Sequence, residues 1–345
     1  MLRIESLGLR LFAGILTLLV LPFPCAPSPN DGAASIAAGG IQLRSEPSIS
    51  MEKERLTIGI KKVEVEYEFR NETATDITTE VAFPIPRYQC DTAGQDPHFR
   101  DFNVWVDEAK VDYQTILHAL VGGQDKTKVL TDLKISDKSI EFDVNKCYEP
   151  DKNSEIGRLS SSAQKKLKQA GLIDEDGNPR WSVEKIYHWN MTFPGQKIVR
   201  VRHEYSPVVG QTQIPEDYLR AIKQNLQGKE GSADLGGHPR EIVEQFAQLF
   251  RNACANTSVV DGLDAKNQPM AVVHWVDYIL TTANTWKTPI KDFTLIVDVT
   301  NPWNKDPITA NFCWDGPPRR LDPAHFIVEK KDFRPDKELA VYFLH

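Results

Sequence analysis

A strict alternation of apolar and charged side chains over residues 63–70 is the feature that most constrains the fold of this chain. The run reads VEVEYEFR. In a strand, a period of two places its apolar members on one face and its charged members on the other. Residues 77–83 form a second apolar run that ends at Pro84 and Pro86, which cannot donate to a sheet ladder. Because polar residues separate the two runs, residues 61–86 are predicted to form a half-buried hairpin.

A later segment repeats this pattern with the opposite charge. Residues 197–205 read KIVRVRHEY, so Arg200 and Arg202 share the polar face of a second strand. The polar face of the first run carries three glutamates. Opposite charges across neighbouring strands contribute about 0.2–1 kcal/mol per pair and favour one register. We therefore expect the two strands to be neighbours in one sheet.

The start of the chain has the layout of a secretory signal peptide. Arg3 and Arg10 flank a polar start, residues 11–21 are almost wholly apolar, and small residues follow. The apolar run is about half of the roughly 20 residues that a membrane span requires. We expect residues 1–28 to be cleaved, with an uncleaved anchor as the alternative. The mature chain is then exported, periplasmic or secreted, and has no transmembrane segment.

The acidic composition argues against a nucleic-acid partner. The formal net charge is −7, it becomes −8 without residues 1–28, and the chain has no basic block. Nucleic-acid binding requires a dense positive surface. The sequence also lacks the G-x-S-x-G, P-loop, H-E-x-x-H and dinucleotide-binding motifs of common enzymes. We therefore expect a non-catalytic protein without a cofactor or a metal centre.

Four cysteines remain after removal of the signal peptide: Cys90, Cys147, Cys254 and Cys313. An even number in an exported chain favours disulfides, with three possible connectivities. Sequential pairing would close loops of roughly 60 residues, each contributing about 4 kcal/mol. Buried free thiols are the alternative.

The remaining patterns predict a mainly β protein built from antiparallel β-sandwiches, with helical insertions at about 155–171 and 215–253. Its domains are predicted to be an N-terminal β-sandwich at residues 29–210, a helical insertion at 211–268 and a C-terminal β region at 269–345. This last region packs into the same domain or forms a second one.

Two short segments give more local predictions. Glu54 and Arg55 are polar residues between two apolar stretches, so we expect a turn there. Residues 139–144 read SIEFDV and alternate, which predicts a strand.

Two groups of side chains are candidates for a site. Asp91, Asp96 and Asp101 lie in one loop, and a glycan or peptide hydrolase uses carboxyl groups in pairs. Three tryptophans lie near turns, where exposed rings would stack on a sugar or lipid, unless they plug the ends of the sandwich. These tryptophans are Trp286, Trp303 and Trp314.

Several motifs complete the pattern: NDGAASIAAGG at residues 30–40, GLIDEDGNPRW at 171–181, DYILTTANTW at 277–286 and PIKDF at 289–293. Together with the export signal and the first strand run, they resemble the bacterial exported family catalogued as domain of unknown function 4424. The likeness covers nearly all of the mature chain. It implies an exported bacterial protein with no assigned activity, cofactor or catalytic residue. It also implies that Cys254 pairs with Cys313, which supports sequential disulfides.

A weaker likeness concerns the fold alone. A strand ending in FPIP at residues 83–86 precedes DFNVWV at residues 101–106, and this order is similar to the vault/inter-alpha-trypsin β-sandwich domain. We therefore expect a non-catalytic periplasmic or envelope β-sandwich protein that binds a ligand, an envelope protein or a glycan. The alternatives are an envelope glycan or peptide hydrolase and a sugar-binding module that uses the loop tryptophans.

Overall fold

The computed structural model describes residues 32–37, 40–90, 99–142, 154–228, 237–266, 268–304 and 308–345. The strands are β1 Gly32–Ala37, β2 Gly40–Leu43, β3 Ile49–Ile58, β4 Val63–Asn71, β5 Ile77–Pro84, β6 Tyr88–Gln89, β7 Arg100–Val106, β8 Ala109–Lys110, β9 Gln114–Val121, β10 Gln124–Asp125, β11 Ser182–Phe193, β12 Ile198–Ser206, β13 Gly210–Pro215, β14 Met270–Tyr278, β15 Ile290–Asp298, β16 Thr309–Phe312, β17 Arg319–Asp322, β18 His325–Phe333 and β19 Leu339–Leu344. The helices are α1 Thr127–Asp132, α2 Asp137–Ile140, α3 Ser161–Gln169, α4 Glu216–Leu226, α5 Arg240–Asn252 and α6 Thr257–Asp264, with a 3-10 helix at Thr281–Thr285. The prediction of a mainly β fold with helical insertions is confirmed.

The described strands form three sheets. The seven-stranded sheet has the order β10-β9-β11-β5-β1-β2, and β6 also pairs with β11. The eight-stranded sheet has the order β17-β18-β15-β3-β4-β12-β7-β8, and the four-stranded sheet has the order β13-β14-β19-β16. Because β15 pairs with β3 in parallel, strands from the end of the chain extend a sheet that early strands begin.

Strand β4 lies inside the eight-stranded sheet, between β3 and β12. In the β4–β12 ladder, Glu68 lies opposite Arg200 and Glu66 lies opposite Arg202. The prediction that these strands are neighbours is therefore confirmed. The four alternate side chains of β4 that face inward are buried: Val63, Val65, Tyr67 and Phe69.

The predicted hairpin of residues 61–86 is wrong, because its strands belong to different sheets. Strand β5 pairs with β11 and β1 in the seven-stranded sheet. The connection crosses between the sheets, and the Asn71 amide donates to the carbonyl oxygens of Thr75 and Phe193, each at 2.8 Å. A short polar loop can join strands within one sheet or across a sandwich, so alternation alone does not distinguish the two.

The eight-stranded and seven-stranded sheets form a β-sandwich around one continuous core. Phe102 of β7 stacks on Tyr187 of β11 with ring centroids 4.2 Å apart. Phe69 of β4 meets Phe193 of β11 edge to face at 5.9 Å. These contacts join the two sheets, since aromatic side chains bury large areas in such arrangements.

The four-stranded sheet packs on both faces. One face adds Val276 and Tyr278 to the sandwich core, and the Tyr278 hydroxyl lies 3.1 Å from the hydroxyl of Tyr67. The other face adds Val273 to a second core that includes Phe250 of α5 and residues of α4 and α6. Helices α4–α6 therefore cover the face of this sheet that does not pack on the sandwich core.

Two local predictions are wrong. Strand β3 continues through the expected turn, and Glu54 is fully buried in it. A register shift after Met51 reverses which residues face inward, as a β-bulge does. The expected strand at residues 139–144 begins instead within α2, because the Ser136 hydroxyl caps this helix and accepts from the Ser139 amide at 3.4 Å. Glu141 and Phe142 follow the helix, and residues 143 and 144 lie outside the described residues.

Candidate functional site

A cavity of about 260 Å³ lies where the sandwich meets the four-stranded sheet. Five parts of the chain contribute its described lining: β6 with its flanking residues, the residue before β7, the start of β11, the end of β12 with the segment that leads into β13, and the end of β14. The side chains that matter for its chemistry are Arg87, Tyr88, Phe99, Tyr205, Trp275 and Asp277.

Strand β14 positions two of these side chains. Its period of two places Ala271, Val273, Trp275 and Asp277 on one face. Ala271 and Val273 are buried in the core formed with the helices, whereas Trp275 is half-buried and Asp277 is exposed. The same face of one strand therefore passes from a covered core into the cavity.

The indole of Trp275 depends on the glycine opposite it. Gly210 pairs with Trp275 across the β13–β14 ladder. A Cβ at Gly210 would lie 2.0 Å from Cε2 and 2.3 Å from Cζ2 of the indole. The ring can therefore lie across β13 only because position 210 has no side chain.

Asp277 carries a charge that no described neighbour compensates. Within the described part of the chain its carboxylate has no hydrogen bond and no ion pair. The Asp277 side chain lies in a concave surface, so protein atoms surround it although part of it stays exposed. The protein atoms displace water from the carboxylate, and this desolvation raises the pKa of Asp277 to about 6. The acid Glu80, by contrast, lies 2.6 Å from His188.

The one other charged side chain in the described lining is neutralised outside the cavity. The Arg87 Nε donates to the Glu184 carboxylate at 2.9 Å. Tyr205 stacks on Phe99 with ring centroids 4.5 Å apart. Burial raises the pKa of Tyr205 and of Tyr88, so both hydroxyls stay protonated. The arrangement combines an aromatic wall with one unbalanced negative charge.

The structure places the three predicted tryptophans in separate aromatic clusters. Trp286 is 2% exposed and packs on Phe69 at 4.6 Å. Trp314 is partly buried against the sandwich core. Trp303 is 55% exposed and stacks on His274 at 4.6 Å. The three rings therefore do not form one ligand platform.

No cysteine belongs to the described lining of the cavity. Cys254 and Cys313 are joined, with their Cα atoms 4.9 Å apart, so a disulfide links the end of α5 to the residue after β16. Cys90 is disulfide-bonded. Because Cys147 lies outside the described residues, its pairing with Cys90 stays a prediction.

The candidate acidic loop is described only in part. Asp91 and Asp96 lie outside the described residues, and Asp101 is exposed and accepts from the Ser206 hydroxyl at 3.1 Å. Across the described ranges, no group of three or more His, Cys, Asp or Glu side chains is arranged to hold a metal ion.

Sequence analysis did not single out Trp275 or Asp277, because both lie within the C-terminal β region at 269–345, where only the tryptophans near turns were considered. The strand that holds both residues ends at Tyr278. A signal was nevertheless present, since the period of two places Asp277 at the end of an otherwise apolar face. Core packing does not require a carboxylate in that position.

The fold and the cavity define a β-sandwich protein with a helix-covered accessory sheet and a pocket of small-molecule size. The family described as Domain of unknown function (DUF4424) matches residues 29–342, and the chain belongs to this family. The search of curated proteins finds no match. No helix in the described ranges has the length and apolar character that crossing a membrane requires.

Two solved structures show a distant likeness. A Legionella pneumophila protein described as a candidate nutrient-binding protein is 14% identical, with a TM-score of 0.39 over 92% of this chain and 71% of that chain. A two-domain M1 zinc metallopeptidase bound to L-tryptophan is 7% identical, with a TM-score of 0.22 over 87% of this chain and 44% of that chain. Both scores are too low to indicate a shared function.

Proposed function

We propose that this protein is an exported, non-catalytic protein of the bacterial envelope that binds a small ligand in the cavity around Asp277. The observation that carries the proposal is the uncompensated carboxylate of Asp277. A desolvated charge without a partner lowers the stability of the folded protein. If a ligand binds this carboxylate, the residue has a function that explains its presence despite its effect on stability.

The geometry supports binding better than hydrolysis. A glycoside hydrolase uses two carboxyl groups roughly 5–9.5 Å apart, whereas the described lining holds one. The cavity volume of about 260 Å³ lies just below the range for drug-sized ligands, roughly 300–1,000 Å³, and so suits a smaller molecule.

A thermal-shift screen of the mature chain tests the proposal with a panel of amines, organic acids and sugars. We expect at least one class to raise the melting temperature, because a ligand that binds only the folded state stabilises it. Val208→Trp, which fills the cavity from a half-buried lining position, should abolish the shift. The matched control Ile198→Trp changes an exposed aliphatic residue of β12 and should preserve it.

Two outcomes contradict binding at this cavity: no member of the panel shifts the melting temperature, or Val208→Trp responds like the unmodified chain. Export is tested separately by fractionating cells that express the full chain. The processed chain is expected outside the cytoplasm, and an unprocessed cytoplasmic chain contradicts this part of the proposal.

A second candidate function is sugar binding at Trp303. Its exposed ring stacks on His274 and His345 at 4.6 and 5.4 Å, which holds one aromatic face toward solvent. Glycan-array binding should then be lost in Trp303→Ala and kept in Asp277→Asn. Glycan binding that survives Trp303→Ala contradicts this candidate.

A further inference from the structure

We propose that the cavity around Asp277 selects a small organic cation, an ammonium group carried by a compact molecule. This inference rests on the proposed function, because it names the class of ligand that the same cavity holds. Charge, aromatic geometry and size each point to this class.

The first argument is the charge of the described lining. The Asp277 carboxylate has no hydrogen-bond or ion-pair partner in the described ranges. The Arg87 guanidinium is held by Glu184, with Nε 2.9 Å from the carboxylate oxygen. A monovalent cation would therefore balance the charge of Asp277, whereas an anion would add a second negative charge beside it.

The second argument is the aromatic face beside that charge. Trp275 lies two residues from Asp277 on the same face of β14, and Gly210 fixes the position of its indole. Among the described residues, no protein cation lies over this ring, whereas the Arg202 guanidinium lies 3.6 Å from the ring centre of Trp105. Indole is the aromatic group that binds cations best. A carboxylate beside a half-buried indole that no described cation covers suits an ammonium group.

The third argument is that other ligand classes fit less well. A divalent metal ion requires several oxygen or nitrogen ligands, and the described residues hold no such cluster. A neutral sugar would leave the Asp277 charge unbalanced. The volume of about 260 Å³ favours a compact amine over a peptide, since drug-sized ligands occupy roughly 300–1,000 Å³.

Isothermal titration calorimetry of the mature chain tests the inference with matched probes. Choline is compared with its uncharged isostere 3,3-dimethylbutan-1-ol, and butylammonium with its uncharged isostere butan-1-ol. We expect at least one cation to bind at least tenfold more tightly than its isostere, about 1.4 kcal/mol. The same cation should bind at least tenfold more weakly to Asp277→Asn, which keeps the shape of the side chain and removes its charge.

Two further variants separate the parts of the site. Trp275→Leu keeps the carboxylate and removes the indole face, so cation binding should weaken. Glu68→Gln removes a carboxylate from the outer face of the eight-stranded sheet, and binding should not change. Near-ultraviolet circular dichroism of each variant shows whether the fold is intact.

The outcomes distinguish this inference from the proposed function. Equal binding of each cation and its isostere, or undiminished cation binding by Asp277→Asn, overturns the inference and leaves the cavity as a site for another ligand. If no amine, acid or sugar binds, or if Val208→Trp binds like the unmodified chain, both proposals are wrong. Selective cation binding that Asp277→Asn abolishes supports both.

Discussion

Two concave surfaces of this molecule use charged and aromatic residues in opposite ways. The outer-face groove, about 200 Å³, lies on β4, β12 and their neighbours. Its Arg200 Nε lies 3.3 Å from Glu68, and Arg202 covers the ring of Trp105. In the Asp277 cavity the carboxylate and the indole have no such described partners. The charged lining of the groove is balanced in sign: Lys53, Arg200, Arg202, Glu66, Glu68 and Glu108.

This difference identifies the outer-face groove as part of the structural scaffold and the Asp277 cavity as the candidate binding site. In the outer-face groove, opposite charges face one another across paired strands and favour one register. A ligand would have to displace these internal contacts. In the cavity, desolvation acts on one carboxylate without compensation, so a cationic ligand gains an interaction that the protein does not make itself.

The largest effect is expected from replacement of Gly210, the glycine that allows the Trp275 indole to lie beside the cavity. Gly210→Ala should push the indole of Trp275 from its place, because the new Cβ would lie 2.0 Å from a ring atom. We expect a loss of about 1–3 kcal/mol in the free energy of unfolding, as for other overpacked sites, together with loss of ligand binding. Urea unfolding and calorimetry measure the two effects.

The control for this prediction is Gly262→Ala. Gly262 lies in α6, and a Cβ there would meet no atom within 4 Å. Alanine at an exposed helical position should stabilise the protein by about 0.5–1 kcal/mol relative to glycine. If both alanine variants behave alike, close packing at Gly210 is not what positions the indole.

The second effect is the pH dependence of cation binding. The pKa of Asp277 is raised to about 6, so lowering the pH from about 7.5 to about 5 should weaken binding of a quaternary ammonium about tenfold. Among the described residues, the other titratable or charged groups that face Asp277 are Arg87, Tyr88, Tyr205 and Tyr342. Arginine stays charged, and the pKa of each tyrosine is raised by burial. Affinity that does not change with pH contradicts the role of Asp277.

The third effect concerns stability in the absence of ligand. The folded-state pKa of Asp277 is raised from 3.8 to about 6, so the folded protein binds this proton more tightly than the unfolded chain does. Its contribution to stability therefore falls as the pH rises through this range. Asp277→Asn should be more stable near neutral pH by about 1 kcal/mol, because solvent screening reduces the full penalty. The difference should vanish below about pH 3, where the carboxyl group is protonated in the folded and the unfolded chain, and urea unfolding at both pH values checks it.

The smallest effect belongs to the outer-face groove. Arg200→Gln removes the exposed pair with Glu68, and we expect a loss of about 0.5 kcal/mol and unchanged ligand binding. A double-mutant cycle with Glu68→Gln should give a coupling energy of about 0.2–1 kcal/mol. A coupling energy near zero would show that the groove charges do not stabilise one another, and a change in ligand affinity would show that the groove takes part in binding. Either result contradicts the distinction between the groove and the cavity.

Local patterns predicted local structure well. The alternation at residues 63–70 and the charges at Arg200 and Arg202 identified both the buried faces and the pairing of β4 with β12. Tertiary contacts decided what these patterns left open. Asn71 reaches the carbonyl of Phe193, which is distant in sequence, and this contact helps fix the crossing between sheets. A bulge after Met51 changed the inward face of β3 in a way that composition does not reveal.

The candidate site was harder to predict than the fold. The cavity forms where residues near Arg87, Gly210 and Asp277 come together, and no spacing in the sequence indicates that these segments are neighbours in the fold. The tryptophans near turns were identified by position alone, and the packing of Trp286 in the core shows the weakness of that criterion. The acidic end of an apolar strand face is a better signal, because it marks a residue that core packing does not require.

The central claim is that the charge of Asp277 is desolvated and uncompensated until a cation binds. The most direct test is a carbon-13 NMR titration of the Asp277 carboxyl carbon, in the free protein and with saturating choline or butylammonium, whichever binds. We predict a pKa of about 6 in the free protein and a lower value in the complex. An ordinary pKa, near 3.9, that the cation leaves unchanged would contradict the account.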